Sequence, residues 1–553
     1  EFVKHFDRLG RLSSLFPLFA SVEARIGHRY EPAVIIAVDV SRTDFDDTSY
    51  TVAAEQDEGL QPIDLPVKQV RFGSSARGRR ATAALVPLES TPSSSSTSST
   101  TPPTAAVTLD KVPFYESYIT YTEPLTLAQA RLFPDAAHWD AAVGVELYSL
   151  EQHGVLMFME QAPAGAKLLG TKWVFKLKKK HGGTLDKYRA RLVAKGYLQR
   201  PGVDYSDTFA PGTQLSSFRV LLILATNFNL DLEHLDVKTA FLNSELKETI
   251  YVRLPEDATS QDGHTVAKLH KSIYGLKQAG HDWHECSETF ILTHDNRLRR
   301  SSVEPCLYYL YTNELKILIL THVDDYIVAS SSRAWTLDFI KAFNTKFGVN
   351  VLGKLSHFMQ MAVDFTDTET TLSQQRTIDE LAAEYHMLNC KPNTVTPLAE
   401  NINLNKLETF DPQLPYRNLL GSLLWLARGT RPDISYAVSY LSQFCNCYGE
   451  EHFTAARRVL KYLIATKEKK LILPVIKHKK MVMDVYSDSD WAGEKTDRKS
   501  VSGTVIFLNG APVTWTSKKQ SIVATSSTEA EYIAASESVK DMLYTHNLLK
   551  EFI

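Results

Sequence analysis

Cysteine is scarce in this chain: five among 553 residues, at positions 286, 306, 390, 445 and 447. A set that is odd in number and scattered does not build a disulfide framework, and it suits a reducing compartment. Cys445-x-Cys447 has no second Cys/His pair at zinc-like spacing, so half of any zinc ligand set is missing. Long apolar runs are also absent. Leu221–Ala225 and Ile317–Leu320 fall far short of the roughly 20 residues that a membrane-crossing helix needs. No basic-then-apolar leader opens the sequence, and it begins at Glu1 where a start methionine would stand, so a fragment or a processed piece is expected. A strong charge of one sign is lacking too. The net charge is −3, with 23% charged and 44% hydrophobic residues. These values exclude a wholly disordered or collagen-like chain, and the length suits three or four domains of about 100–200 residues.

The chain divides by composition. Residues 1–88 carry no chemical constellation: Phe2–Ile26 has apolar residues at roughly helical spacing, and Ala33–Val40 reads as a strand. Residues 89–112 open with ESTPSSSSTSSTTPPTAAVT, which cannot build a core and reads as a disordered linker. Globular sequence resumes near Phe114, with a helix from His138-Trp139 towards Leu150. Lys172–Lys178 and Lys187–Ala194 read as a hairpin around Gly182-Gly183. Ser216–Asn227 reads as a helix, Leu232–Asp236 as a strand, and Lys316–Thr321 with Tyr326–Ala329 as strands flanking a tight turn at Val323–Asp325. After Thr396-Pro397 a long helical stretch runs through Tyr416–Phe444 and Glu451–Thr466. Met481–Ser487, Val501–Leu508 and Val513–Ser517 read as strands, the last two joined at Asn509-Gly510, and Thr528–Leu549 reads as a helix.

Charge is segregated although the total is small. Lys167–Arg200 holds eleven Lys and Arg against one acid, Asp186. In Lys187-Tyr-Arg189-Ala-Arg191 three cations recur at period two, on one face of a strand. A strand face that presents only cations calls for an anion, and phosphate is the expected one.

Two constellations carry candidate metal chemistry. In Leu235-Asp236-Val237-Lys238-Thr239-Ala240-Phe241 an apolar strand ends in a carboxylate, with an aromatic five residues on. In Thr321-His322-Val323-Asp324-Asp325-Tyr326-Ile327 two adjacent acids sit between hydrophobic strands. Adjacent carboxylates at a hairpin repel unless a cation holds them; a polar turn is the other reading of Asp324-Asp325 alone. If the strands pair, Asp236 and Asp324 can face one site and clamp two divalent ions roughly 4 Å apart, the arrangement that activates a hydroxyl and stabilises a leaving phosphate.

The boxes Lys172-Trp-Val-Phe-Lys176, Lys187-Tyr-Arg-Ala-Arg-Leu-Val-Ala-Lys-Gly196, Tyr205-Ser-Asp-Thr-Phe-Ala-Pro211, Leu235–Leu242, Ile273-Tyr-Gly-Leu-Lys-Gln278, Val-Asp-Asp, Gly421-Ser-Leu-Leu-Trp425, Thr430-Arg-Pro-Asp-Ile434, Ser487-Asp-Ser-Asp-Trp-Ala-Gly493 and Ser526-Ser-Thr-Glu-Ala-Glu-Tyr532 stand in one order over about residues 130–553. The set resembles the copia-type retrotransposon Pol polyprotein. The resemblance implies an α+β chain: a right-hand polymerase with fingers, palm and thumb-connection, then a truncated ribonuclease H-like α/β domain. Reverse transcriptase fingers and palm would occupy 113–375, thumb and connection helices 376–480, and the ribonuclease H-like part 481–553. It further implies an RNA-directed DNA polymerase using two Mg²⁺ ions, or Mn²⁺ in their place. Partners would be an RNA template, a DNA primer, an RNA–DNA hybrid and deoxynucleoside triphosphates, with no membrane, in a cytoplasmic, particle-associated setting with a nuclear phase left open.

Carried over residue by residue, Asp236, Asp324 and Asp325 match the family's polymerase carboxylates, with Asp236 and Asp324 as direct ligands and Asp325 more peripheral. Phe241 stands at the sugar-sensing aromatic, whose ring would collide with a ribose 2′-OH; plain core packing is its other reading. Lys187, Arg189 and Arg191 would hold the triphosphate, and Gln278 would line the nucleotide pocket. Asp488 and Glu531 match the first two ribonuclease H metal carboxylates, Asp490 being an alternative to Asp488. The family's third carboxylate would follow beyond Ile553, so the chain as given is expected not to cleave RNA. Ser526 with Glu529 also reads as a helix N-cap.

The chain departs from the resembled family at His322 (usually Tyr), at Gly280-His281 (usually Pro-Arg) and at Phe358-Met-Gln-Met-Ala362, where Gln360 replaces a glycine at a turn that favours positive φ. These departures support the alternative of a decayed, non-catalytic relic that still folds and binds nucleic acid.

Overall fold

The computed structural model describes residues 123–552, apart from 180–184, 256–257, 259–262, 391–392, 401, 477–479 and 495, together with strands between residues 21 and 71. Those strands, Ser21–Ile26, Arg29–Asp39, Ser49–Gln56, Gly59–Pro66 and Val70–Arg71, form one antiparallel sheet. The strand expected over Ala33–Val40 falls in Arg29–Asp39. The helix expected over Phe2–Ile26 is corrected at its end: Ser21–Ile26 pairs with Arg29–Asp39, and the backbone bonds of that hairpin override a helical spacing of apolar residues. The rest of that helix, the 89–112 linker, Phe114 and the Gly182-Gly183 turn lie outside the described residues.

In chain order the elements that follow are α1 (Ala136–Gln152), β1 (Leu156–Met159), β2 (Leu168–Lys179), β3 (Leu185–Ala194), α2 (Leu215–Asn227), β4 (Asp231–Val237), β5 (Glu245–Arg253), β6 (Val266–Lys271), α3 (Ala279–His294), β7 (Leu307–Tyr311), β8 (Lys316–His322), β9 (Asp325–Ser330), α4 (Arg333–Phe347) and β10 (Val349–Lys354). Then come β11 (His357–Phe358), β12 (Met361–Phe365), β13 (Glu369–Ser373), α5 (Gln375–Glu384), α6 (Tyr416–Gly429), α7 (Ser435–Ser442), α8 (Glu450–Ala465), β14 (Leu471–Pro474), β15 (Met483–Ser489), β16 (Val501–Leu508), β17 (Ala511–Lys519) and α9 (Ser527–Lys550). Helix and sheet are mixed throughout. Two compact units contain them, one of residues 1–208 and 244–279 and one of residues 209–243 and 280–553. These bounds do not coincide with 113–375, 376–480 and 481–553, because 209–243 joins the C-terminal stretches in one unit.

In the first unit the strand order is β1-β6-β5-β2-β3. Alternation along β2 and β3 sends Trp173, Phe175, Ala190 and Leu192 inward, all buried. Trp139 of α1 covers that face, with its ring edge-on to Phe175 at 5.3 Å. The odd positions of β3 are left on the other face.

In the second unit the order is Arg299–Arg300, β7, β8, β9, β4, β10, all antiparallel. Both faces of this sheet are covered. Leu318, Leu320, Ile327 and Ala329 pack in the core that holds α2, while Ile317, Ile319, Tyr326 and Val328 pack with Trp283 of α3 and Phe339, Phe343 and Phe347 of α4. Double coverage explains why the β8 and β9 sequences show no polar alternation. Helix α2 is buried nearly all round, as its apolar run requires.

Further along, β11-β12-β13-β14 form a small antiparallel sheet. Helices α5 to α8 build their own core around Leu423, Leu426, Val438, Leu441, Leu460 and Leu463. The helix expected over Tyr416–Phe444 is interrupted: α6 stops at Gly429, and Pro432 opens a 3₁₀ turn before α7. Strands β15-β16-β17 form a three-stranded sheet with β15 at its edge, and α9 packs against β15 and β16. Asn509 (φ 52°) and Gly510 (φ 78°) make the expected tight turn. Ile506, Leu508 and Val513 share one core with α2 and β8, and so do Leu548, Leu549 and Phe552.

Candidate active site

The carboxylates meet where three strands end. Asp236 of β4 lies opposite Asp325 of β9 on one side and Asn350 of β10 on the other. Directly opposed antiparallel residues have Cα atoms about 4.5–5.5 Å apart, and one further residue adds at most about 3.8 Å. Asp324 is therefore within ~10 Å of Asp236, and its carbonyl accepts from the Val237 N–H at 2.8 Å.

Each carboxylate has a defined neighbour. Asn350 Nδ2 donates to Asp236 Oδ2 at 2.9 Å. His234 Nε2 stands 3.2 Å from Asp325 Oδ1. His234 is buried, with its ring edge-on to Phe358 at 6.1 Å, and the His322 ring approaches Phe358 at the same distance.

The backbone around these acids is held in costly conformations. Val323 (φ 57°) precedes Asp324, and Thr239 (φ 50°) follows Asp236 by three residues. Both are β-branched, for which the left-handed region is a genuine outlier, and such strain clusters at functional sites. The hairpin is pinned from outside: buried Trp283 donates Nε1–H to the Val323 carbonyl at 2.6 Å, and Thr213 Oγ1 donates to the Thr321 carbonyl. Phe241, in the 3₁₀ turn Ala240–Asn243, is half-buried against the α3–α4 core.

The basic segment of the first unit is a cationic sheet face. Lys187 pairs across from Lys178 and Arg189 from Lys176. Like charges directly opposed destabilise a sheet, so this register costs stability unless counter-charges offset it. Lys176 also pairs with Glu123, and the Arg191 guanidinium lies 3.8 Å over the Tyr274 ring. Two of the sequence boxes touch here: a Cβ on Gly196 would overlap the Gly275 carbonyl, and one on Gly275 would overlap that of Ala194.

Gln278 departs from expectation. It is 1% exposed. Its amide donates to the Asp204 carbonyl at 3.1 Å and to Glu248 at 3.3 Å, and accepts from Gln199 at 2.9 Å. A side chain so engaged ties the first unit together and has little left to offer a nucleotide.

In the C-terminal sheet Asp488 is exposed on β15, and Glu531 of α9 accepts from the Ser489 N–H at 3.4 Å, so strand end and helix face adjoin. Asp490 Oδ1 accepts from the Val501 N–H, a structural use. Glu529 is a helix-start residue: Ser526 Oγ caps its N–H at 3.1 Å, and its carboxylate accepts from Thr525 N and Oγ1 at 2.6 Å each. Those bonds hold the Glu529 carboxyl below the usual range.

A family profile described as reverse transcriptase (RNA-dependent DNA polymerase) matches residues 157–400, spanning both carboxylate strands. A transposon Ty5-1 protein of Saccharomyces cerevisiae is 36% identical over 321 residues, which is 56% of this chain and 100% of that protein. The chain belongs to the reverse transcriptase family of retrotransposon Pol proteins. Retrovirus-related Pol polyproteins from transposon TNT 1-94 of Nicotiana tabacum and transposon RE1 of Arabidopsis thaliana are 34% and 35% identical, each over 78% of this chain. The chain spans only 33% and 29% of those two relatives. Among solved structures, a foamy viral protease-reverse transcriptase in complex with double-stranded DNA aligns at 8% identity with a TM-score of 0.22, too low to argue from.

Within this Pol reverse transcriptase, sequence reasoning missed Asn350, His234 and Trp283. Asn350 and His234 become neighbours of the carboxylates only through strand register. Trp283 carried a detectable signal, an aromatic at the start of a helix among polar residues, but nothing in it pointed to a turn carbonyl.

Proposed function

We propose that the chain is an RNA-directed DNA polymerase that extends a DNA primer on an RNA template. The observation that carries this reading is the register that sets Asp236 against Asp325, with Asp324 at the adjoining turn. The donor set fits magnesium. Mg²⁺ takes hard oxygens, and usually only one or two protein carboxylates beside water and substrate phosphates. Among the described residues no larger metal-holding group of His, Cys, Asp or Glu occurs, which such an ion does not need. Asp236 and Asp324 would hold it, with Asp325 flanking. When bound, two such ions lower the pKa of the primer hydroxyl and offset charge on the leaving phosphate.

The chain's own residues do the rest by positioning. Lys187 and Arg189, opposed by further cations, and Arg191, stacked on Tyr274, hold the nucleotide's phosphates. The half-buried Phe241 ring excludes a ribose 2′-OH, so deoxynucleotides are the substrates. Asp488 and Glu531 are two carboxylates of a ribonuclease H-like module.

The test is primer extension on an RNA template with Mg²⁺. Asp324→Asn should lower the rate by about 100-fold or more, the scale lost when one electrostatic element of a transition-state site is removed. Equal rates for the two proteins would overturn the reading. The strained, glycine-free turn at Met359-Gln360 favours a second reading, a copy that binds primer–template without extending it. In that case neither protein extends, while wild-type binding still weakens steeply with salt.

A further inference from the structure

Two facing carboxylates on adjacent strands repel each other, yet the fold gives them unlike neighbours. Asp325, Asp236 and Asn350 stand in one row across β9, β4 and β10, on one sheet face, and His234 lies two residues before Asp236 on that face. Asn350 Nδ2 donates to Asp236 Oδ2 at 2.9 Å, which fixes the carboxylate's rotation and leaves Oδ1 the less engaged oxygen for a cation. A carboxylate oxygen only accepts, so His234 Nε2 carries the proton it gives Asp325 Oδ1 at 3.2 Å. His234 is itself fixed, 7% exposed and set edge-on to Phe358. The two donors act in opposite senses: Asn350 orients Asp236 from the far side of the row, while His234 draws Asp325 back along β4.

We propose that Asn350 and His234 are positioning residues that divide the work between the two carboxylates, presenting Asp236 to the catalytic cation and withholding Asp325 from it. The proposal rests on the polymerase reading and deepens it. Neither residue touches substrate in this assignment; each acts through the carboxylate it bonds. Partners of this kind around a metal's ligands typically change affinity or activity by about 10–100-fold when removed.

The experiment measures Mn²⁺ binding by the full chain without nucleic acid, read from the loss of the free-ion paramagnetic resonance signal, beside kcat and dNTP KM for primer extension. Asn350→Ala should weaken Mn²⁺ binding about 10-fold and lower kcat similarly, with KM within about twofold of wild type. Asn350→Gln, which keeps an amide donor, should recover most of both. His234→Leu should change the Mn²⁺ affinity, His234→Gln should not, and the effect of His234→Leu should vanish in an Asp325→Asn background if it acts through that carboxylate. Thermal unfolding of each variant guards against a folding defect, and the glutamine variants keep the test informative where alanine or leucine fails to fold. If Asp324→Asn abolishes Mn²⁺ binding and extension while Asn350→Ala and His234→Leu leave both unchanged, the positioning assignment is wrong and the polymerase reading stands. If Asp324→Asn leaves both Mn²⁺ binding and primer extension unchanged, the polymerase reading itself fails.

Discussion

Gln360 holds φ at 61° and Met359 at 48°, the two central positions of the turn between β11 and β12. A two-residue turn with both residues left-handed is the form that asparagine and glycine favour, and each other side chain there costs on the order of 1 kcal/mol. Gln360→Gly should therefore raise stability by about 0.5–1 kcal/mol, read as a higher denaturation midpoint at unchanged slope; a midpoint that falls would show that the glutamine side chain makes a compensating contact. Gln360 was legible in the sequence only as a departure from the resembled family, standing where that family keeps a turn glycine. The convergence of Asp236, Asp324 and Asp325 was legible for another reason: an acid that ends one apolar strand and an acid pair between two others come together if those strands pair, as they do. Asn350 was not. Its partner is 114 positions away in sequence, and the contact exists only because β10 pairs with β4 in one register.

Helix α2 shows the same limit for a whole element. Its apolar spacing predicts a helix, and the sequence Ser-Ser-Phe-Arg-Val offers no reason for Arg219 within it. In the structure Arg219 is 3% exposed. Its Nη1 donates to the Val513 carbonyl at 2.8 Å, and its Nη2 donates to the carbonyls of Gly429, at 2.6 Å, and Arg428. The last two are orphan acceptors at the end of α6, where a cation also meets the negative end of the helix dipole. Its guanidinium lies 4.1 Å over the Trp515 ring. Burial pushes its pKa down to about 9, which leaves it charged at neutral pH. Three carbonyls from two elements, α6 and β17, thus converge on one fork-shaped donor, a geometry lysine cannot copy. Arg219→Lys should destabilise the chain by roughly 2 kcal/mol, since carbonyls taken from water lose their partners. Chemical denaturation checks this, and a loss below about 0.5 kcal/mol would mean that water replaces the guanidinium.

At the scale of the molecule, the C-terminal sheet and α9 are part of the second unit and not an appendage. Tyr544 of α9 hydrogen-bonds Ser217 of α2 at 2.7 Å and Glu304 at 3.2 Å, and Glu551 accepts from Ser302 N and Oγ. Phe552 meets Tyr309 edge-on at 5.1 Å. A chain cut after residue 480 would bare the faces of α2 and β8 that Ile506, Leu508, Val513, Leu548 and Phe552 cover. Exposed apolar area of that kind drives association. The shortened chain should aggregate or bind a hydrophobic dye, tested by gel filtration; a soluble monomer with native circular dichroism would refute the claim. The sequence boxes placed the reverse transcriptase segment, which the family profile matches over residues 157–400, ahead of the C-terminal sheet and α9. They did not report that one hydrophobic core is shared between them, because shared burial is a property of surfaces that meet only after folding.

The second unit is also interrupted: the chain leaves it after Asn243 and returns at Gly280. On the ribosome, α2 emerges long before the residues that cover it. At about 5–20 residues per second, the interval between Leu224 and Phe552 is roughly 15 to 70 s. During that time a nascent helix apolar on nearly every side lacks the part of its cover that Ile506, Val513, Leu548 and Phe552 supply, and β4 waits for β9 while the first unit's insertion is still being made. Slowing elongation downstream of residue 243 lengthens the vulnerable interval without changing a single native contact.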